Sequence, residues 1–155
     1  MKIHEIGSVL WMNILLFLTP KNQVAFLHNN CTLRQALEKM EFHHYTAIPM
    51  IDCKGEYVGT LTEGDLLWSI KKNFSLNFKQ AENFPIMKVQ RHHHVKAVKA
   101  TTHMEDLINT VLNQNYVPVV DDRNVFIGII TRKRIIQYFY EKAYPNQTNI
   151  LPQVL

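Results

Sequence analysis

Thr62 followed by Asp65, and Thr131 followed by Arg132, Lys133 and Arg134, are the residues whose types and spacing could do chemistry. A threonine with a carboxylate three residues later has the form of a helix N-cap with an acidic partner in the first turn, where the dipole favours negative charge. As a cap it needs no ligand. At the mouth of a cleft the same carboxylate can accept two hydrogen bonds from vicinal ribose hydroxyls. The second group reverses the sign: the dipole disfavours each of three cations in a first helical turn by about 0.3 to 1 kcal/mol, so an anion is expected to compensate. Amides at a helix start suit phosphate, and an adjacent arginine adds a bidentate clamp. Arg132, directly after Thr131, is expected at phosphate. Lys133 and Arg134 read equally well as a solvated run.

The elements that position these groups are written twice. Gly59-Thr60-Leu61-Thr62 and Gly128-Ile129-Ile130-Thr131 are each an apolar strand running through a Gly-x-x-Thr turn into a helix. Gly128 − Gly59, Thr131 − Thr62 and Pro118 − Pro49 all give 69, while upstream Val95 − Val24 and Val111 − Met40 give 71, a two-residue loop difference. In the first copy a lead strand is expected over 24–27. A helix capped by Thr32 follows, with apolar residues Leu33, Ala36, Leu37 and Met40 on one face. Strands over 47–51 and 57–61 flank a turn at Asp52, Lys54 and Gly55, and a helix starts after Thr62. The second copy repeats this with a lead strand over 95–99, a helix over 104–112, strands over 117–120 and 125–130, and a last helix over 132–143. The spacing divides the chain into an N-terminal helix and linker (1–19), a first repeat (20–73), a linker with a short helix (74–94), a second repeat (95–143) and a tail (144–155). A duplicated half-domain folded face to face leaves a cleft at its pseudo-twofold axis.

Two further stretches could address a base. Val24-Ala25 opens the first lead strand, and Tyr45-Thr46-Ala47 stands just before Pro49. Small side chains there let main-chain groups approach an adenine edge while apolar side chains cover its faces. Strand packing alone is the competing explanation.

At 155 residues and 46% apolar composition the chain suits one well-buried domain made of two halves. Cys31 and Cys53 lack metal or redox spacing, which points to idle thiols in a reducing, cytoplasmic compartment. Residues 9–18 are strongly apolar, but ten residues interrupted by Asn13 are too short for a bilayer core that needs about 20, and no small-x-small cleavage site follows. A helix over 3–18, packed on the core or on a second subunit, is expected instead, and Met12 offers an alternative start. The formal charge of +4 is dispersed apart from two short runs, without interleaved aromatic residues, which argues against nucleic acid. His92-His93-His94 and His43-His44 offer imidazoles, yet consecutive histidines do not easily converge on one ion. No Gly-x-Ser-x-Gly elbow, His-Glu-x-x-His pair or Gly-x-x-x-x-Gly-Lys loop is present, so an enzyme is not expected.

The duplicated strand, Pro strand, Gly-x-x-Thr turn and helix resemble a tandem cystathionine beta-synthase (CBS) domain pair, or Bateman module. The resemblance implies an α/β (α+β) fold of two pseudo-twofold-related β-α-β-β-α repeats, here with an extra N-terminal helix. It further implies an adenine nucleotide (AMP, ADP, ATP or cyclic di-AMP) as regulatory ligand in the inter-repeat cleft, with no required cofactor, a homodimer, and a target protein that reads occupancy. Gln23-Val24-Ala25, Tyr45-Thr46-Ala47-Ile48-Pro49 and Phe126 to Arg132 are similar to small stand-alone bacterial pairs that bind cyclic di-AMP. By that likeness Ala25, Thr46 and Ala47 hold adenine, and Thr131 and Arg132 meet phosphate. Gln23 stands where those relatives often have Lys, while Thr62 and Asp65 keep the general ribose motif, which favours AMP or ATP. The alternative is an interaction module with a vestigial nucleotide site.

Overall fold

The computed structural model describes residues 12–145. The first repeat contributes β2 (Leu27–His28), α1 (Leu33–His43), β3 (Ala47–Ile51), β4 (Tyr57–Thr62) and α2 (Glu63–Phe74). After a short α3 (Phe78–Ala81), the second contributes β5 (Val98–Lys99), α4 (Met104–Asn113), β6 (Tyr116–Val120), β7 (Phe126–Thr131) and α5 (Arg132–Ala143). In each repeat the two-residue lead strand runs parallel to the Pro strand, which pairs antiparallel with the Gly-x-x-Thr strand.

The helix starts follow the expected capping chemistry. Thr32 and Gln35 form a reciprocal capping box on α1, Thr62 and Asp65 form another on α2, and the Thr131 hydroxyl accepts from the Arg134 amide on α5. The hairpin turns are also equivalent. Asp52 Oδ1 accepts from the Lys54 and Glu56 amides, and Asp121 Oδ1 from those of Arg123 and Val125.

At these turns the halves meet. Tyr57 N–H donates to Asn124 O at 3.1 Å and Phe126 N–H to Gly55 O at 2.9 Å, so the chain pairs with its own repeat across the pseudo-twofold axis. Tyr57 and Phe126, equivalent by the offset of 69, stack with ring centroids 6.3 Å apart.

The lead segments differ from expectation. Only Leu27–His28 and Val98–Lys99 are strand, because the residues before them first cross to the opposite half. A two-residue strand β1 (Thr19–Pro20) pairs antiparallel with β7 and extends the second repeat's sheet to the order β1-β7-β6-β5, leaving β2-β3-β4 as the other sheet. The Gly128 Cα lies directly beneath Thr19 O and the Leu18 side chain at φ 155°, and any Cβ there would strike that crossing backbone. On the other side Arg91 lies over Gly59 (φ 145°) and donates from Nη1 to Val58 O at 2.9 Å. Gly128 thus admits the backbone that enters from the other half, whereas Gly59 makes room for the Arg91 guanidinium.

The expected N-terminal helix falls largely outside the described residues. Within them, Ile14–Phe17 forms a single 3-10 turn capped by Asn13, with Ile14 and Phe17 buried in the second repeat's core beside Met104, Leu107, Val117 and Ile130. The other core centres on Leu33, Ile48, Met50, Leu61, Leu66 and Ile70.

Candidate functional site

The duplication generates two seams between the halves. The first runs between β4 and the linker over 91–97. The second runs between β7 and its counterpart over 20–26. The expected site residues divide between them and do not form one set.

Thr62 and Asp65 stand at the first seam. Asp65 is 1% exposed, and four donors occupy its carboxylate. Oδ2 accepts from Thr62 N at 3.0 Å and Thr62 Oγ1 at 2.7 Å. Oδ1 accepts from His92 N at 2.9 Å and lies 3.2 Å from His92 Nδ1. Burial by itself would raise the carboxyl pKa, but the hydrogen bonds from the His92 amide, the Thr62 hydroxyl and amide and the His92 ring outweigh it and hold the pKa below its ordinary value. The acid expected at ribose is here a buried tie between α2 and the linker.

A polar chain crosses the interior beside it. Thr60 Oγ1 lies 2.8 Å from both Tyr57 Oη and Tyr116 Oη, and Tyr57 Oη donates to Val95 O at 3.1 Å. Burial pushes the Tyr57 phenol up to about 12 against the opposing effects of the Thr60 hydrogen bond and the Arg91 charge. Burial likewise raises Tyr116. Next to this chain lies a hollow of about 590 Å³ lined by residues 57–60, Val89 and residues 91–97, with Arg91, His92, His93, His94 and Lys96 on its linker wall. These lining residues are absent from the expected site, although the signal was available: adding 71 to Val24 and Ala25 gives Val95 and Lys96.

At the second seam stand Val24, Ala25 and Thr131. Val24 packs with Ile51 and Phe126, between the sheets. Thr46 and Ala47 belong to the neighbouring strand opening, where Thr46 O accepts from Glu63 N at 3.1 Å and Ala47 pairs with Thr62. Tyr45 packs against the first core and His43. Ala47 and Tyr116 are equivalent by the offset of 69, so a methyl in one half corresponds to a phenol in the other.

Arg132 requires a correction. Its guanidinium, expected at phosphate, donates from Nε to Val111 O at 2.9 Å and Gln114 O at 3.2 Å, and from Nη2 to Leu112 O at 3.3 Å. Those carbonyls end α4, the negative pole of its dipole, and they supply the compensation assigned to an anion. Arg134 is exposed and lines a separate hollow of about 370 Å³ with Met12, Leu16 and Phe17. Among the described residues no group of three or more His, Cys, Asp or Glu could hold a metal ion, and no helix is long and apolar enough to cross a membrane.

Two half-domains joined through their hairpins and exchanging lead segments define a Bateman module. The sequence pattern of the CBS domain matches residues 18–72 and 88–141, and the chain belongs to the CBS domain family. It is 23% identical over 142 residues to an uncharacterized protein of Methanocaldococcus jannaschii, covering 84% of this chain and 50% of that protein, so it spans half the length of that curated relative. Among solved structures it is similar to CbpB in complex with c-di-AMP (TM-score 0.81, 20% identity, 92% of this chain and 93% of that one). It is also similar to CBSX2 in complex with AMP (TM-score 0.68, 22% identity, 84% and 98%). These likenesses establish the fold.

Proposed function

We propose that the chain is a non-catalytic regulatory CBS pair of the cytoplasm that binds an adenine nucleotide at its second seam and passes occupancy to a partner protein. The observation that carries this reading is the small side chain of Ala47, where the duplicated position holds Tyr116. None of the hydrogen bonds among the described residues engages the Ala25 peptide, which leaves a main-chain donor and acceptor for an adenine edge. The Thr131 hydroxyl offers a phosphate a hydrogen bond, while the Arg132 and Arg134 amides of the same turn are taken by Asn115 O and Thr131 Oγ1, and Arg134 is the accessible cation. Arg132 contributes only if its guanidinium leaves the α4 carbonyls. That neighbours of the same fold were solved with c-di-AMP and with AMP supports an adenylate as the ligand class. Partner signalling requires that the nucleotide bind one arrangement of the halves better than another.

The test is a thermal-shift and calorimetric titration with AMP, ATP and cyclic di-AMP. A ligand at 100 times its Kd stabilises by about 2.7 kcal/mol, a rise of about 5 to 10 °C for a domain of this size. Ala47→Tyr, which writes the second repeat's residue into the first, is expected to abolish that rise while leaving the unliganded melting temperature within about 3 °C. Arg134→Ala is expected to weaken binding about tenfold, as loss of a charge-assisted contact does. No shift with any of the three nucleotides would defeat the proposal and favour an interaction module.

A further inference from the structure

The two seams descend from one repeated plan, so each group that could face a ligand at the second has a counterpart at the first. The counterparts are spent. Val95 O, equivalent to Val24 O, accepts from Tyr57 Oη at 3.1 Å. The Lys96 peptide, equivalent to that of Ala25, is taken on both sides by one side chain. Lys96 N donates to Gln114 Oε1 at 2.7 Å, and Gln114 Nε2 donates to Lys96 O at 3.0 Å. Gln114 itself stands where the first repeat has Tyr45. Where Ala47 presents a methyl, Tyr116 extends its phenol to Thr60 at 2.8 Å. The Asp65 carboxylate, the one group at this seam suited to a ribose diol, has its four bonds filled by Thr62 and His92.

From this saturation we infer that the first seam is closed to nucleotide by the chain's own residues, Tyr116, Gln114 and His92, so that each chain takes one adenine nucleotide instead of two. The inference rests on the proposed nucleotide reading and narrows it. The closure has a physical logic. An incoming adenine would have to replace two hydrogen bonds between the Lys96 main chain and Gln114, and an incoming ribose would have to displace donors from a buried carboxylate, leaving it unpaired until the exchange is complete. The hollow of about 590 Å³ that remains there does not compensate, because Thr62, Asp65, Gln114 and Tyr116 are not part of its wall. The closed seam then serves as a fixed hinge, tying the linker to both halves, while the open one responds to ligand.

Stoichiometry decides the matter. Calorimetry with AMP and with cyclic di-AMP, cross-checked by native mass spectrometry, is expected to give one nucleotide per wild-type chain at saturation. The triple variant Tyr116→Ala, Gln114→Ala and His92→Gly is expected to bind a second, with the Kd at the second seam changed less than about threefold. Should Tyr116→Ala fail to fold, His92→Gly with Gln114→Ala removes the imidazole from Asp65 Oδ1 and frees the Lys96 peptide while leaving the buried phenol in place, and carries the same expectation. Two nucleotides per wild-type chain would overturn the inference alone, as would a persistent single site in a folded variant. Absence of binding by wild type and variants alike would remove the nucleotide reading and this inference with it.

Discussion

Four donors on the two oxygens of Asp65 set its protonation, and the sign of its pH dependence follows. Its folded pKa lies below the ordinary value of 3.8. The stability that the ionised carboxylate contributes is therefore complete above pH 3.8 and is lost as the pH falls through the lower, folded value. Replacing it by asparagine weakens charge-assisted bonds. Asp65→Asn is expected to cost about 2 kcal/mol at pH 7, and that cost is expected to shrink once the wild-type carboxyl is protonated. Urea denaturation of both proteins at pH 7 and near pH 3 measures it; a difference that stays constant with pH would show that shape and not charge is at stake. Asp65 also shows how far spacing alone reaches. Thr62-x-x-Asp65 announces a capping box, and the capping box is present, but the donors from His92 come from 27 residues away and no local pattern contains them.

At the scale of elements, the helices and long strands follow period and punctuation because their causes are local: threonine caps, aspartate turns and one apolar face per helix. The lead segments do not, since their partners lie in the other half. Residues 24–27 read as a strand by composition, yet the chain there has only just left β7 and joins β3 at Leu27. Arg132 is a similar case: a cation in a first helical turn is costly only until the carbonyl end of α4 is seen to receive it. The entering segment also carries stability. Phe17 is 3% exposed, edge-on to Tyr138 at 5.0 Å, and belongs to the second repeat's core although it precedes the first repeat in sequence. Phe17→Ala is expected to destabilise by about 3 to 5 kcal/mol. Hydrogen exchange should show the loss first in β6, β7 and α5; equal loss in β3 and β4 would mean that the two halves do not open separately.

For the whole molecule, the outer helix faces carry apolar residues at equivalent positions, Leu67 (47% exposed) with Trp68 (51%) on α2 and Ile136 (59%) on α5. Exposed apolar side chains repeated on both halves favour association with a second copy, the homodimer that the resemblance to a CBS pair implies. Wild type is then expected to sediment at twice its 18.2 kDa mass, and Leu67→Glu with Ile136→Glu to sediment as a single chain with its nucleotide affinity retained. A wild-type monomer at micromolar concentration would exclude this arrangement. Opposite charges at equivalent sites, Glu63 and Arg132, further show that the copies have diverged in chemistry while keeping one backbone plan.

The sequence by itself determined the duplication, its register, the helix caps and the hairpin turns, because each is a local requirement of backbone geometry repeated at a fixed offset. Only the tertiary structure decided which of the repeated groups remain available. Whether Asp65 or Ala25 can meet a ligand depends on donors and acceptors that arrive from the other half, and their supply is settled by packing across the pseudo-twofold axis.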